Sequence, residues 1–177
     1  MNDGLYNEEA RQSRISDYEH KAKVLRQIHS NKLAGCAKSN AVLNYSTIFA
    51  SAFVTFFAFF GVDKIHELFL QGRLDLKILE FIFNIFILVL LIISFLQITL
   101  RLGEQALRHL SSVQMLTEFI TDLDDLKIMK NVDSSQSERQ IERLNDRYKS
   151  IIKVLPANSD SEWRRAKAAL GIKEQRK

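Results

Sequence analysis

Two long stretches of the chain contain no charged side chain, and charge-rich sequence lies on either side of them. The first covers 24 residues from Ser39 to Val62, and the second covers 20 residues from Phe81 to Leu100. A helix rises about 1.5 Å per residue, so 20 residues cover roughly 30 Å, the thickness of a bilayer's hydrocarbon core. The pattern therefore predicts two membrane-spanning helices.

The sequence before the first charge-free stretch has the period of an amphipathic helix. Apolar or amphipathic residues recur from Ile15 to His29 in steps of three and four, which places them on one face. Asn7, followed by two glutamates, is typical of a helix start, because its side chain can cap and acids favour the positive end of the helix dipole. We expect a helix from about Asn7 that runs close to, or straight into, the first span, with Gly35 as its one weak point.

The sequence after the second charge-free stretch keeps the same spacing. Apolar residues recur through 102–123, so the second span is expected to continue as one helix to about Lys130. Residues 131–137 are polar and without apolar periodicity, which predicts a linker. Ser137 and Gln140 then have the spacing of a capping box and predict the start of the next helix.

The last part of the chain predicts a helix end and one more short helix. Pro156 should end the preceding helix, because proline lacks a backbone donor and clashes with the turn before it. Ser159 and Glu162 repeat the capping-box spacing, and the helix that they open should end near Gly171.

The apolar faces of these soluble helices need partners, because a single helix cannot cover them. They can pack together in one chain as a helical bundle, or against other copies in an oligomer, and the pattern leaves both open. The predicted bundle or oligomer seam consists of Ile15, Tyr18, Leu25, Leu116, Ile120, Leu144, Tyr148 and Ile151.

Basic residues indicate how the chain is oriented. Seven Lys or Arg residues lie shortly before the first span or just after the second, whereas the sequence between the spans has three. Lys and Arg accumulate on the cytoplasmic side, so both termini should be cytoplasmic. The first 40 residues have no apolar core, so no cleavable signal peptide is expected. The seven are Lys21, Lys23, Arg26, Lys32, Lys38, Arg101 and Arg108, and the three are Lys64, Arg73 and Lys77.

The fold class that follows is an all-α membrane protein, a two-span transmembrane hairpin with a cytoplasmic N-terminal helix and a C-terminal helical extension. Its predicted parts are the N-terminal helix 1–38, the first span 39–62, a short extracytoplasmic loop 63–77, the second span 78–100, a helical continuation 101–130, and a linker with C-terminal helices 131–177.

Polar residues inside the spans are the main candidates for function. Asn44, Thr47, Ser51 and Thr55 lie three or four residues apart and share one helix face, while phenylalanines occupy the opposite face and suit lipid. Glu80 and Asn84 lie near the outer end of the second span, where a carboxylate is costly without water or a partner. Two interpretations stay open: the stripe is a packing face between helices, or it lines a water-filled path in an assembly.

Motifs for other chemistry are not found. The four histidines are scattered without metal-ligand spacing, and Cys36 is the single cysteine. The sequence contains no phosphate-binding glycine loop and no nucleophile elbow, and the acidic residues of 118–125 are expected to form a solvated helix face. The net charge of +4 is dispersed, which does not indicate nucleic-acid binding. We therefore expect neither an enzyme nor a cofactor.

The plan of the chain resembles a known bacterial family. A basic helix, two closely spaced spans and a helical extension are followed by Arg147-Tyr148-Lys149-Ser150-Ile151-Ile152 and then by Pro156, Asn158, Ser159 and Asp160. From about Glu8 to Trp163 this is similar to the SLATT family of two-span effectors from nucleotide-signalling conflict systems. The resemblance implies a pore-forming or bilayer-perturbing effector in the inner membrane that kills or arrests the cell during phage infection. It also implies a partner encoded nearby that makes or senses a nucleotide.

We therefore expect an oligomeric membrane effector of anti-phage defence, with the lipid bilayer and other copies of the chain as partners. The alternative is a non-conducting anchor whose cytoplasmic helices recruit a soluble partner. A small transporter subunit is less favoured, because neither span has the glycine or proline interruption that builds a site at the bilayer midplane.

Overall fold

A computed structural model describes residues 3–70, 75–128 and 134–172, and every element in these ranges is an α-helix. The all-α class is thus confirmed for the described part of the chain. Contacts divide the chain into two compact units, Gly35–Gln105 and the bundle formed by Met1–Ala34 with Ala106–Lys177. The helices are α1 (Asp3–Phe60), α2 (Val62–Leu70), α3 (Leu76–Leu100), α4 (Leu102–Ile128), α5 (Ser134–Val154) and α6 (Asp160–Ala169).

Helix α1 is continuous over 58 residues. It begins at Asp3, before the predicted start at Asn7, and it passes through Gly35 and the predicted boundary between 38 and 39 without a break. The helix ends at Gly61, whose φ of 75° lies in the left-handed region that glycine adopts without a Cβ clash. The N–H of Gly61 donates to the carbonyl of Phe57 over 2.9 Å and closes the last turn.

The segment predicted as a short extracytoplasmic loop, 63–77, includes most of helix α2, which occupies Val62–Leu70. The reason is its apolar spacing: Ile65 is buried against Phe57 and Leu79, with Val62 packed beside it. Burial of these side chains favours a helix that turns one face toward the neighbouring helices. Asp75 then caps α3 by accepting a hydrogen bond from the backbone N–H of Lys77 over 3.0 Å.

The second span does not continue as one helix to Lys130. Arg101 adopts a left-handed conformation, with φ 44° and ψ 41°, and separates α3 from α4. The Gln105 side chain donates to the carbonyl of Leu100 over 3.0 Å, which supplies a partner for an acceptor at the interruption. Gly103, two residues on, lowers helix propensity at the same place.

The C-terminal helices match the expected order with one shifted boundary. Helix α5 begins at Ser134, so the predicted linker 131–137 is too long, and the Ser137 side chain lies outside the described residues. The capping box at the start of α6 is confirmed: the N–H of Ser159 donates to Glu162 Oε2 over 2.8 Å, and the N–H of Glu162 donates to Ser159 Oγ over 3.4 Å. Helix α5 ends before Pro156, as predicted.

The bundle has an apolar core assembled from α1, α4 and α5. Phe119, Leu116 and Leu123 of α4 are fully buried there. A smaller cluster holds α6 on α1, where Ala166 packs against Val24 and Ile28. Burying these side chains is the main source of stability for such a bundle.

Ion pairs and hydrogen bonds surround this core. Lys127 pairs with Glu19, and Arg11 donates to the carbonyl of Leu126 over 2.9 Å. The acidic residues expected to be simply solvated are partly paired, because Arg147 contacts both Asp122 and Glu118. These contacts join segments that are far apart in sequence.

Candidate functional site

Two helical segments, Glu9–Phe60 and Leu76–Ile128, are long and apolar enough to cross a membrane. In the most apolar part of each, only 11% and 6% of the residues are buried. The core helix of a soluble protein would bury most of such a surface, so these helices need another apolar environment. Exposed apolar side chains include Phe49, Phe59, Phe81, Leu91, Phe95 and Ile98.

Residues 39–60 of α1 and the whole of α3 lie side by side, and we call them the apolar pair. Phe53 stacks on Phe86 with ring centroids 4.1 Å apart, and Phe57 stacks on Phe83 at 5.4 Å. Gln97 donates to Asn44 Oδ1 over 3.2 Å. Among these contacts, the residue numbers increase along α1 while they decrease along α3, so the two helices run antiparallel. The numbers of two residues that lie opposite each other add up to about 140.

Phe53 and Phe57 lie in the contact between the two helices, so the expectation that the whole phenylalanine face meets lipid is wrong for them. Phe57 is 8% exposed, whereas Phe49 on the outer side is 69% exposed. Aromatic rings fill a helix contact well because they bury a large area and stack on one another. The hydrophobic pattern alone did not separate an exposed ring from a ring that packs against the next helix.

The predicted stripe of α1 lies at the edge of this contact. Thr47 and Ser51 are half-buried, while Asn44 and Thr55 are exposed. Thr47 Oγ1 donates to the carbonyl of Leu43 over 2.9 Å, which satisfies its hydroxyl within the helix. At 100° per residue, the stripe is turned by roughly 80° from the centre of the contact face.

Glu80 and Asn84 are exposed and lie on α3, turned by roughly 95° to 135° from the centre of its own contact face. Because the two helices run antiparallel, these turns bring both residues to the same side of the pair as the stripe of α1. Thr55 and Asn84 are also at nearly the same height, since their numbers sum to 139. We call Asn44, Thr47, Ser51, Thr55, Glu80 and Asn84 the polar side of the apolar pair.

The predicted seam residues of the soluble helices come together in the bundle. Six are buried in one cluster, and Tyr18 and Tyr148 pack against it with ring centroids 5.2 Å apart. Tyr18 also donates its hydroxyl to Asn145 Oδ1 over 3.1 Å. Burial raises the pKa of Tyr148 above its ordinary value. The six buried members are Ile15, Leu25, Leu116, Ile120, Leu144 and Ile151.

A buried histidine pair was missed by sequence reasoning. His29 Nδ1 and His109 Nδ1 are 3.1 Å apart, and the two side chains are 0% and 8% exposed. Burial, followed by the neighbouring His109 and Lys32, lowers the pKa of His29 to about 4, and burial also lowers the pKa of His109. The only signal was the place of His29 on an apolar stripe, because its partner is 80 residues away.

Among the described residues, no group of three His, Cys, Asp or Glu side chains is arranged to hold a metal ion. Comparisons of the chain with models of protein families, with curated proteins and with solved structures give no match. What is established is therefore an all-helical chain, in its described part, with two helices long and apolar enough to cross a membrane.

Proposed function

We propose that this protein is a two-span membrane effector of bacterial anti-phage defence, which oligomerises and permeabilises the inner membrane on a signal from a partner. The exposed apolar surface of the pair supports insertion, since lipid tails are the solvent that such a surface requires. An antiparallel pair returns the chain to the side from which it entered. The excess of basic residues outside the pair favours that side as the cytoplasm.

The observation that carries this proposal is the polar side of the apolar pair. A single pair cannot enclose a channel, and polar groups exposed to lipid are unfavourable. Several copies that turn their polar sides toward a common axis would surround these groups with water or with one another. In that assembly Asn44, Thr47, Ser51 and Thr55 line the path, and Glu80 and Asn84 stand at its outer mouth.

The bundle is the regulatory part in this proposal. The resemblance of the whole chain to the SLATT family supports a partner that makes or senses a nucleotide, and the core of the bundle supplies packing that a signal can change. Catalysis and a cofactor have no role in this mechanism. A difference of a few kcal/mol between two packings is enough to convert a largely resting population into a largely assembled one.

The test is the membrane potential of bacteria that express the full chain, followed by a potential-sensitive dye. Wild type should depolarise the cells, whereas Ser51→Leu with Thr55→Leu should abolish depolarisation, because leucine blocks and dries the path. The matched control is Phe49→Leu with Phe56→Leu, which changes two exposed residues on the opposite side. The control should depolarise as wild type does, and membrane fractions should contain equal amounts of all three proteins.

Two results would contradict the proposal in different ways. Full depolarisation by the Ser51 and Thr55 variant would mean that the polar side is not the path. If wild type in the membrane gives no depolarisation, even with neighbouring gene products and phage present, the chain is a non-conducting anchor. An anchor should instead be tolerated and should co-purify with a soluble partner.

A further inference from the structure

A cluster of polar side chains lies where the segment before α6 meets α1 and α4. Its centre is the His29–His109 contact of 3.1 Å between Nδ1 atoms, with both rings buried. Asn158 Nδ2 stands 3.5 Å from His29 Nε2. Lys32 Nζ donates to Asn158 Oδ1 over 3.0 Å. Each polar atom named here therefore faces a partner inside the bundle.

These contacts assign the proton on each ring. Lys32 can only donate, so the oxygen of Asn158 faces it and the amide nitrogen faces His29. His29 Nε2 must then be the acceptor, which places the hydrogen of His29 on Nδ1. That N–H donates to Nδ1 of His109, whose own hydrogen is on Nε2. The network thus fixes both rings as neutral imidazoles.

The same network attaches α6 to the rest of the bundle. Besides Asn158, Lys32 Nζ contacts the carbonyl of Ala157 at 3.2 Å and Glu162 Oε2 at 3.0 Å. Apolar contacts hold α6 as well, because Ala166 is buried against α1 and Trp163 packs against both apolar clusters of the bundle. Polar and apolar contacts therefore act together to hold this helix in place.

An added proton would break one of these contacts whichever ring received it. The basic nitrogens are His29 Nε2 and His109 Nδ1, and both already accept hydrogen bonds. A proton on the first would face the Asn158 amide and approach the Lys32 ammonium, while a proton on the second would face the N–H of His29. The charged groups that act on the pair are Lys32 of α1, which opposes protonation, and Glu162 of α6, which favours it more weakly.

We propose that His29, His109, Asn158 and Lys32 form a proton-operated latch, which holds α6 on α1 and α4 while both rings are neutral and releases α6 when either ring takes up a proton. The latch is independent of whether the apolar pair conducts. It makes the state of the bundle sensitive to acidification of the solution around it.

The pH range follows from the two states. A released histidine has an ordinary pKa of about 6.5, whereas the pKa of His29 in the bundle is about 4. The released state therefore binds protons more readily, and the latch is fully effective above about pH 6.5 and weakens as pH falls toward 4. Within that range each ring can raise the released fraction by at most about tenfold per pH unit. Glu162 and Glu19 have lowered pKa values, through hydrogen bonds from Ser159 and Lys127 respectively, so the stability that they contribute begins to fall only near the ordinary carboxyl pKa of about 4.3 and is lost at lower pH.

The test is hydrogen–deuterium exchange of the full chain in lipid nanodiscs between pH 7.5 and 5, corrected for the intrinsic effect of pH. Below pH 6.5, protection of the α6 amides should fall by up to about tenfold per pH unit for each histidine ring. Protection of the α4 core amides should stay unchanged. His29→Gln with His109→Gln should remove this dependence. The matched control, His20→Gln, changes a histidine of α1 outside the pair and should keep it.

Other results would overturn the latch. Protection of α6 that is independent of pH in wild type excludes it, as does a pH dependence that survives in the His29 and His109 variant. An equal loss of protection in α4 would show that protons act on the whole bundle and not on α6. If the double variant fails to fold, C2-proton exchange of the wild-type rings decides: pKa values well below 6.5 for both rings support the latch, and ordinary values overturn it.

Discussion

The two units of this protein use phenylalanine in opposite ways. Phe119 of the bundle is fully buried, whereas Phe59 of the apolar pair is 86% exposed. Both lie on long helices that pack against neighbours, so the helix does not make the difference. The bundle hides its apolar side chains from water, while the apolar pair presents them outward. This inversion is what the proposed insertion of the apolar pair into a bilayer requires.

The polar contacts of the two units differ only in part, because hydroxyl groups such as Ser112 of the bundle and Thr47 of the apolar pair both bond within their own helices. The bundle joins distant segments through ion pairs such as Lys127 with Glu19. In the apolar pair, Thr47 and Ser94 donate to carbonyls four residues earlier in their own helices. Asn44 and Gln97 bond to each other across the pair. Local bonds of this kind satisfy a polar group without requiring water, which suits a helix in lipid.

The test of this contrast with the largest expected change in stability replaces one phenylalanine in each unit. Phe119→Ala should lower the free energy of unfolding of the bundle by about 3–5 kcal/mol, because it leaves a cavity in a packed core. Phe59→Ala should change it by less than about 0.5 kcal/mol. Denaturant unfolding followed by the fluorescence of Trp163, the single tryptophan, measures both. Equal losses would mean that the exposed phenylalanine also supports the bundle.

A smaller loss in the free energy of unfolding is expected when a lysine of the bundle is replaced by methionine. Lys32→Met should cost about 1–2 kcal/mol, since one partly buried ammonium bonds a carbonyl, an amide and a carboxylate. Lys21→Met removes only an exposed pair with Asp17 four residues earlier and should cost about 0.3–0.5 kcal/mol. Thermal unfolding of the two variants under the same salt conditions gives the comparison. A cost for Lys32 no larger than that for Lys21 would contradict its role in holding α6.

An effect smaller than that of Lys32→Met is expected at the start of α6. Ser159→Ala removes the side chain that accepts from the N–H of Glu162 and should destabilise α6 by about 0.5–1 kcal/mol. Ser150→Ala, at an exposed position inside α5, serves as the matched control and should be neutral or slightly stabilising. Exchange rates of α6 amides at neutral pH report the difference. Similar rates in both variants would show that the capping box does not contribute to the stability of α6.

Much of the fold was accessible from sequence because periodicity is local. The eight seam residues recur in steps of three and four, and the structure brings them to one cluster. The same reasoning located the Ser159 capping box and the end of α5 before Pro156. It missed the interruption at Arg101 and the helix at Val62–Leu70, because both depend on contacts that local pattern does not contain.

Only part of the candidate site could be predicted from the sequence. Helical spacing grouped Asn44, Thr47, Ser51 and Thr55, but it could not tell which side of α1 meets α3. The stacking of Phe53 on Phe86 decides this and turns the stripe to the edge of the contact. Glu80 and Asn84 lie on the same side of the pair as the stripe of α1 because the two helices are antiparallel. That register is a property of the two helices together and not of either sequence.

The sequence by itself determined where the chain is apolar, where it is charged and which helix faces are apolar and need a packing partner. These properties depend on residues within a few helical turns of one another. Only the tertiary structure decided that His29 lies against His109 and that two phenylalanines fill a helix contact. Contacts between residues far apart in sequence depend on how helices pair, and many pairings satisfy the same local pattern. Burial then sets the chemistry, since the low pKa of His29 arises from surroundings that its own helix does not provide.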